Sequence, residues 1–368
     1  MRSILTLGAL TLTALAHAEP AQYGADHAVF FMTNSAEGNQ VVAYQRNAYG
    51  TLFGARHFAT GGRGSGGKGD PLGSQGSLTL SQDHQWLFAV NAGSGTLSVF
   101  RVVDEQLILT DQVPTGGAEP TSVAQHGNLV YVLDAAGSSS VTGFAFFGGH
   151  LSPIPESQLF LSANGANPGS VAFSPDGKFV LATEKANNKV DVFGVLPNGT
   201  LSAITVNSSA GPGAFAVNVA PNGTVVVSET GSGGTTAALS SYRIQANGNL
   251  TTVSGSVPTL GAANCWNAIT PDGRFVYVSN AGSSTISGFA IGSSGALTPL
   301  PGTIVGTNPA GSGNLDIAVS VDGKFLYSLN SAAGTLGEFA INADGSLTNL
   351  GTVGGLPAGS SLNGIAAN

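Results

Sequence analysis

Charge is scarce in this chain of 368 residues: Asp, Glu, Lys and Arg together make up 9% of it. Its 12 Lys and Arg stand against 20 Asp and Glu, for a formal net charge of -8. A nucleic-acid partner is excluded on that ground, because binding phosphates needs a basic surface and no basic stripe is present. Cysteine is almost missing. Cys265 stands alone, so no internal disulfide can form, and the fold must be held by apolar packing. Long apolar runs are confined to the start. Arg2, the stretch Ile4 to Leu15 and the small-x-small triplet Ala16-His17-Ala18 before Glu19 read as a secretory leader over residues 1–18. That stretch is too short for a membrane span and none follows, so the expected product is a secreted, extracellular or periplasmic protein formed by residues 19–368 as one domain. No His/Cys/Asp cluster has zinc spacing and no Gly-x-Ser-x-Gly elbow marks a serine hydrolase.

Glycine, by contrast, is abundant, with 54 residues in a chain that is 42% hydrophobic. Glycine supplies the positive φ values of tight hairpins, so the composition suits many short strands joined by turns. The turns repeat. The clearest copies are Ser174-Pro-Asp-Gly-Lys-Phe-Val180, Thr270-Pro-Asp-Gly-Arg-Phe-Val276 and Ser320-Val-Asp-Gly-Lys-Phe-Leu326. Weaker copies begin at Ser81, Gln125 and Ala220, and the segment Ala28 to Asn34 reads as a second strand with no first strand before it. A period of roughly 45 to 57 residues, one four-stranded sheet per repeat, predicts an all-β propeller. Inner strands are expected near 76–81, 121–125, 169–174, 214–219, 265–270, 315–320 and 363–367. The last has no partner after it, so pairing it with the N-terminal strands makes seven blades and closes the ring. Third strands near 40–44, 96–100, 140–144, 189–193, 239–244, 285–289 and 335–339 nearly all end on an aromatic, which most simply packs sheet on sheet.

In such a blade the loops entering the inner strand and leaving the second strand share one rim of the channel, and the Asp-Gly hairpins share the other. The second strands end on Asn34, Asn91, Asp134, Glu184, Glu229, Asn280 and Asn330, and the approaches to the inner strands add Gln75, Glu119, Asn264, Trp266 and others. Together they predict a polar, acidic funnel. One reading is that the amides only cap turns. The carboxylates crowded near an axis point further, to acid and base work, with Glu184 and Glu229 as the expected pair. No cofactor is implied, and a hard cation such as Ca²⁺ on oxygen ligands is the alternative left open. Gln75, Asn91, Glu119, Asp134, Trp266, Asn280 and Asn330 are the expected substrate-binding residues, Trp266 as a flat surface for a ring to stack on.

The glycine-rich segment 61–76 joins an outer strand to an inner one on the same rim. It reads either as a lid or as a flexible surface loop. Arg63 and Lys68 suit an anionic substrate, and His57 just before it suits proton exchange near neutrality.

The segments 174–184 and 270–280, with turn-and-strand starts such as Asn198-Gly-Thr-Leu201 and Asp344-Gly-Ser-Leu347, resemble the seven-bladed propeller lactonases, the group of 6-phosphogluconolactonase-like and carboxymuconate-cyclising proteins. The resemblance implies opening or closing of a lactone ring in the channel, without a redox cofactor, by a histidine, arginines and an acidic residue of one rim. Glu184 and Glu229 match the acidic position. The His and Arg of the inner-strand approaches are absent, where this chain reads Gly211-Pro-Gly-Ala-Phe215, Ala166-Asn-Pro-Gly169 and Ala263-Asn-Cys-Trp266. The expected activity is therefore on a small polar lactone or sugar-derived acid, by a monomer. A non-catalytic propeller binding a glycan or protein at the same rim, and carbohydrate cleavage by a carboxylate pair, are the alternatives.

Overall fold

A computed structural model describes residues 27–103, 106–234, 236–359 and 361–368. The leader expected over residues 1–18 lies outside them. Alternation of apolar and small polar residues, interrupted by Gly-containing turns, gives seven antiparallel sheets. Blade 1 joins both ends of the chain: Asn363–Ala367 pairs with Ala28–Met32, which continues to Gln40–Arg46 and Leu52–Ala59. Blades 2 to 7 follow in order on the inner strands Leu78–Leu80, Ala118–His126, Pro168–Phe173, Ala214–Val219, Asn264–Ile269 and Asn314–Val319. Each inner strand touches the next, and that of blade 7 touches Asn363–Ala367, so the ring is closed as the repeat predicts.

The repeated hairpin has a local cause. In blade 4, Ser174 Oγ donates to Asp176 Oδ1 (2.7 Å) and accepts the Phe179 N–H (3.0 Å), while Asp176 also accepts the Lys178 N–H (3.2 Å). Gly177 completes the turn at φ 69°. The same bonds recur around Asp272, Asp322 and Asp83. In the Asp83 turn His84 stands at the glycine position, at φ 56°.

Second strands such as Phe179–Glu184 and Phe275–Asn280 are buried almost throughout, because both faces of a blade meet a neighbouring blade. The aromatics Tyr44, Phe100, Phe144, Phe193, Tyr242, Phe289 and Phe339 of the third strands are all core residues. A second set of ties was not expected. Tyr131, Tyr277 and Tyr327 of second strands donate their hydroxyls to the carbonyls of Gly199, Gly345 and Gly50, each in an outer hairpin of the next blade (2.6, 2.8 and 2.8 Å).

The outer strand of blade 4 is short, Thr205–Ser208. Ser202 is the reason: its hydroxyl takes the Gly194 N–H (2.8 Å) and donates to Ala203 O (3.0 Å), replacing regular ladder bonds.

Candidate functional site

The residues that end the second strands do form a ring, but its members are turned outward, between blades. Asn34, Asn91, Asp134, Glu184, Glu229, Asn280 and Asn330 are all 0% exposed. Glu229 shows the arrangement most fully. Its carboxylate accepts from Ser209 Oγ (2.9 Å), Gly211 N (2.8 Å), Ser240 Oγ (2.7 Å) and Ser256 Oγ (2.7 Å). Ser209 and Gly211 lie on the crossover arriving from blade 4, and Ser240 and Ser256 on the third and fourth strands of blade 5. Glu184 likewise accepts from Ser162 N and Oγ (2.7 and 2.8 Å) and from Asn187 Nδ2 (2.9 Å). Asp191 on the third strand lies against it, its carboxyl held well above the usual carboxylate range by burial and by the Glu184 charge.

The amides repeat the pattern. Asn91 accepts from Thr60 Oγ (2.6 Å) and Asn39 Nδ2 (3.0 Å) and donates to Thr96 and Ser98. Asn280 donates to Thr285 and Ser287 (3.2 and 2.8 Å), Asn330 to Asn308 and Thr335 (3.1 and 3.2 Å). Asp134 accepts from Thr115 Oγ (2.7 Å), and burial pushes it up to about 7. Asn91, Glu184, Glu229 and Asn330 thus stitch an incoming crossover to their own blade, while Asp134 Oδ2 and Asn280 Oδ1 are buried without a hydrogen-bond partner. Glu184 and Glu229 are each held by such partners, so the structure does not bring them together as a channel pair.

The rim-crossing segment does something the ring does not. From Gly61 it runs over the second-strand exits of blades 1 and 2, where Gly64 N–H donates to Ser35 O (2.8 Å) and Gly93 N–H to Arg63 O (2.9 Å). It then crosses the channel. Ser74 Oγ donates to Thr121 O of blade 3 (2.8 Å), Gln75 N–H to Gly169 O of blade 4 (2.9 Å), and Trp266 Nε1–H of blade 6 to Ser74 O (2.7 Å). Gln75 closes the span with two bonds to the Asn267 backbone, accepting its N–H (3.0 Å) and donating to its carbonyl (2.6 Å). Of the two readings of this segment, the structure shows the one that folds over the mouth.

On the crossing segment Gly73 bonds both a carboxylate and a lysine. Asp70 Oδ1 accepts the Gly73 N–H and Asn363 Nδ2 of blade 1 (2.9 Å each). Lys185, the residue after Glu184, donates its ammonium to the Gly73 carbonyl and lies 4.8 Å from the centre of the Phe215 ring. Burial raises Asp70 to about 6, against the Lys185 charge, which lowers it. Burial lowers Lys185, opposed first by Asp70 and then by Cys265. Cys265 is half-buried beside them, its thiol pushed up by burial and by the Asp70 charge. A base that titrates near neutrality and an adjacent cation are what proton transfer at a carbonyl requires.

The other expected residues fall in three places. Arg63 and Lys68 are exposed on the crossing segment and Glu119 is half-buried at φ 56° where the chain enters blade 3, so all three belong to the same rim. Trp266 is 1% exposed and packs edge-on to Phe215 (5.1 Å), so it is a core residue and offers no open face for stacking. His57 is exposed on the outermost strand of blade 1, bonded to Gln40 (3.1 Å), at the periphery of the ring. Asp70 and Lys185 had a signal that the sequence reading passed over. Asp70 is the one acid in 61–76, and Lys185 stands where the other second strands are followed by Ser35, Ala92, Ala135, Thr230, Ala281 and Ser331. Among the described residues, no group of three or more His, Cys, Asp or Glu converges as a metal site.

Comparison with known proteins places this geometry in context. Residues 217–311 match the family model described as lactonase, 7-bladed β-propeller. No curated protein matches in sequence. Among solved structures, a periplasmic gluconolactonase of Pseudomonas aeruginosa superposes with a TM-score of 0.69 at 21% identity, over 92% of this chain and 99% of that one. A provisionally assigned 6-phosphogluconolactonase of Bacteroides uniformis gives 0.69 at 19%, over 92% and 99%. A protein of unknown function from Desulfotomaculum acetoxidans gives 0.68 at 15%, over 93% and 98%. At these identities the likeness establishes the fold.

Proposed function

We propose that this seven-bladed propeller, whose residues 217–311 match the lactonase family, opens or closes the ring of a small polar lactone or sugar-derived acid on the rim crossed by residues 61–76. The observation that carries the reading is that Asp70 and Lys185, from two segments far apart in sequence, both bond to Gly73 and act on each other electrostatically. In the hydrolytic direction Asp70 takes a proton from the attacking water as its oxygen bonds to the lactone carbonyl carbon. The Lys185 ammonium faces the negative charge that gathers on the carbonyl oxygen. The ring C–O bond then breaks, and Asp70 returns the proton to the departing alkoxide, which leaves a hydroxy acid. Arg63 and Lys68 on the same segment suit the carboxylate so formed, and Glu119 is placed to meet substrate hydroxyls. The enzyme is read as secreted or periplasmic, on the strength of the leader-like residues 1–18.

A panel of aldonolactones and muconolactones tests this. Turnover is expected with at least one, falling by about 10²-fold or more in Asp70→Asn and in Lys185→Met while the melting temperature holds. Absence of turnover with every lactone, alongside saturable glycan binding at this rim, would instead identify a binding propeller.

A further inference from the structure

With residues 70–76 crossing one end, the channel becomes a blind pit that opens at the hairpin rim. A cavity of about 570 Å³ lies there, walled by inner strands of blades 1 to 5 and 7. A contiguous one of about 320 Å³ extends it along blade 6, and Gln75 forms the inner end of both. This volume lies on the far side of Gln75 from Lys185 and Arg63. Aliphatic side chains line it in five blades, with Val123, Val171, Val217, Ala318 and Ile365 in blades 3, 4, 5, 7 and 1. Polar groups stand at both ends: Gln75, Ser170, Asn218 and Asp316 at the inner end, and Ser81, Gln82, His84, Gln125 and His126 at the mouth.

Charge is nearly absent from the lining. It contains no Lys or Arg, and its one acid is Asp316. Three backbone N–H groups, of Ile317 (2.9 Å), Ile365 (3.2 Å) and Gly364, hold that carboxyl, and burial raises it to about 7. Near neutrality a large fraction is the neutral acid, which has a hydrogen to donate. Ser170 Oγ accepts the Val217 N–H (2.7 Å) and keeps its own hydrogen for a further bond. At the mouth, burial also lowers His84 and so disfavours its cation. Aliphatic side chains along the inner strands, with hydrogen-bond donors at the closed end, suit a molecule with an apolar body and an oxygen at one tip. A charged molecule entering it would lose its hydration and find no counter-ion.

We infer that the hairpin-rim pit is a second small-molecule site, separate from the Asp70 and Lys185 rim, and that it takes uncharged, largely apolar ligands bearing a hydroxyl, carbonyl or amine at one end. It does not depend on the lactone reading, since Asp70, Lys185, Arg63, Lys68 and Glu119 do not line it and of the crossing segment only Gln75 and Gly76 do.

Fluorescence titration with 1-aminoanthracene, a neutral ring with one polar end, tests the inference. One saturable site per chain is expected, with anthracene-2-carboxylate binding at least about tenfold more weakly. Val219→Trp fills the pit and is expected to abolish probe binding. Val321→Trp, at a half-exposed turn on the mouth where folding is not at risk, is expected to weaken binding severalfold. Absence of saturable binding to the wild-type chain, binding that neither tryptophan alters, or equal affinity for the carboxylate would each overturn it.

Discussion

Glu229 carries four donors on one side chain, and that count predicts what its loss does. Glu229→Ala strands a backbone N–H and three hydroxyls in a buried seam, at a cost of about 3 kcal/mol or more in unfolding free energy. Glu229→Gln keeps the oxygen that takes three of the bonds, and the Ser256 hydroxyl can rotate to accept from the new amide. The cost expected in urea titration is about 1 kcal/mol, with lactone turnover retained, unlike Asp70→Asn. A Gln variant that is fully stable but inactive would return Glu229 to the chemistry. The polar ring itself was legible in the sequence, down to each residue. Its direction was not, because alternation along a strand says which face a side chain takes and nothing about which strand its last atoms lean toward. A hint lay in the crossovers. Thr60, Thr115, Ser209 and Thr259 each precede a glycine by two residues, and an added Cβ on Gly117 or Gly211 would run into Asp134 or Glu229.

Among the hairpins, the blade 2 turn has His84 where its siblings have Gly177, Gly273 and Gly323, all with positive φ. A non-glycine residue there costs about 1 kcal/mol. His84→Gly is therefore expected to raise the thermal midpoint by that amount of stability, provided the imidazole makes no compensating contact; an unchanged or lower midpoint would show that it does. The turns were the most readable elements, since Ser/Thr, Asp and Gly specify them within six residues. The crossing segment was readable only as a length of chain on a known rim. Its path is set by partners such as Asn267, 192 positions from Gln75, and nothing local announces so distant a contact.

Among the described residues, five carboxyls are raised by burial, and stability should follow. Asp70, Asp134 and Asp316 are raised to about 6, 7 and 7, and Asp191 and Glu338 are raised as well, in every case chiefly by burial. A carboxyl raised in the fold binds its proton more tightly there than in the unfolded chain, where Asp titrates near about 3.9. The stability of its neutral form is complete below that value and is lost as pH climbs toward about 7. His84, lowered in the fold, works in the opposite direction near its usual value, one group against five. Hairpin acids such as Asp176 and Asp272, lowered by their Ser/Thr and basic neighbours, matter only below about pH 4. The unfolding midpoint is thus expected to be higher at pH 5 than at pH 8, and Asp134→Asn should flatten the difference. A midpoint that rises between those two values would contradict this ranking of effects.

The strand Asn363–Ala367 that completes blade 1 has a temporal meaning as well as a spatial one. Blades 2 to 7 can assemble in the order of synthesis, each from a continuous stretch of chain, whereas the sheet begun by Ala28–Met32 must wait for residues made more than 300 positions later. Until residue 367 has left the ribosome blade 1 lacks its inner strand and the edge of Ala28–Met32 stays unpaired, which exposes it to mispairing during synthesis.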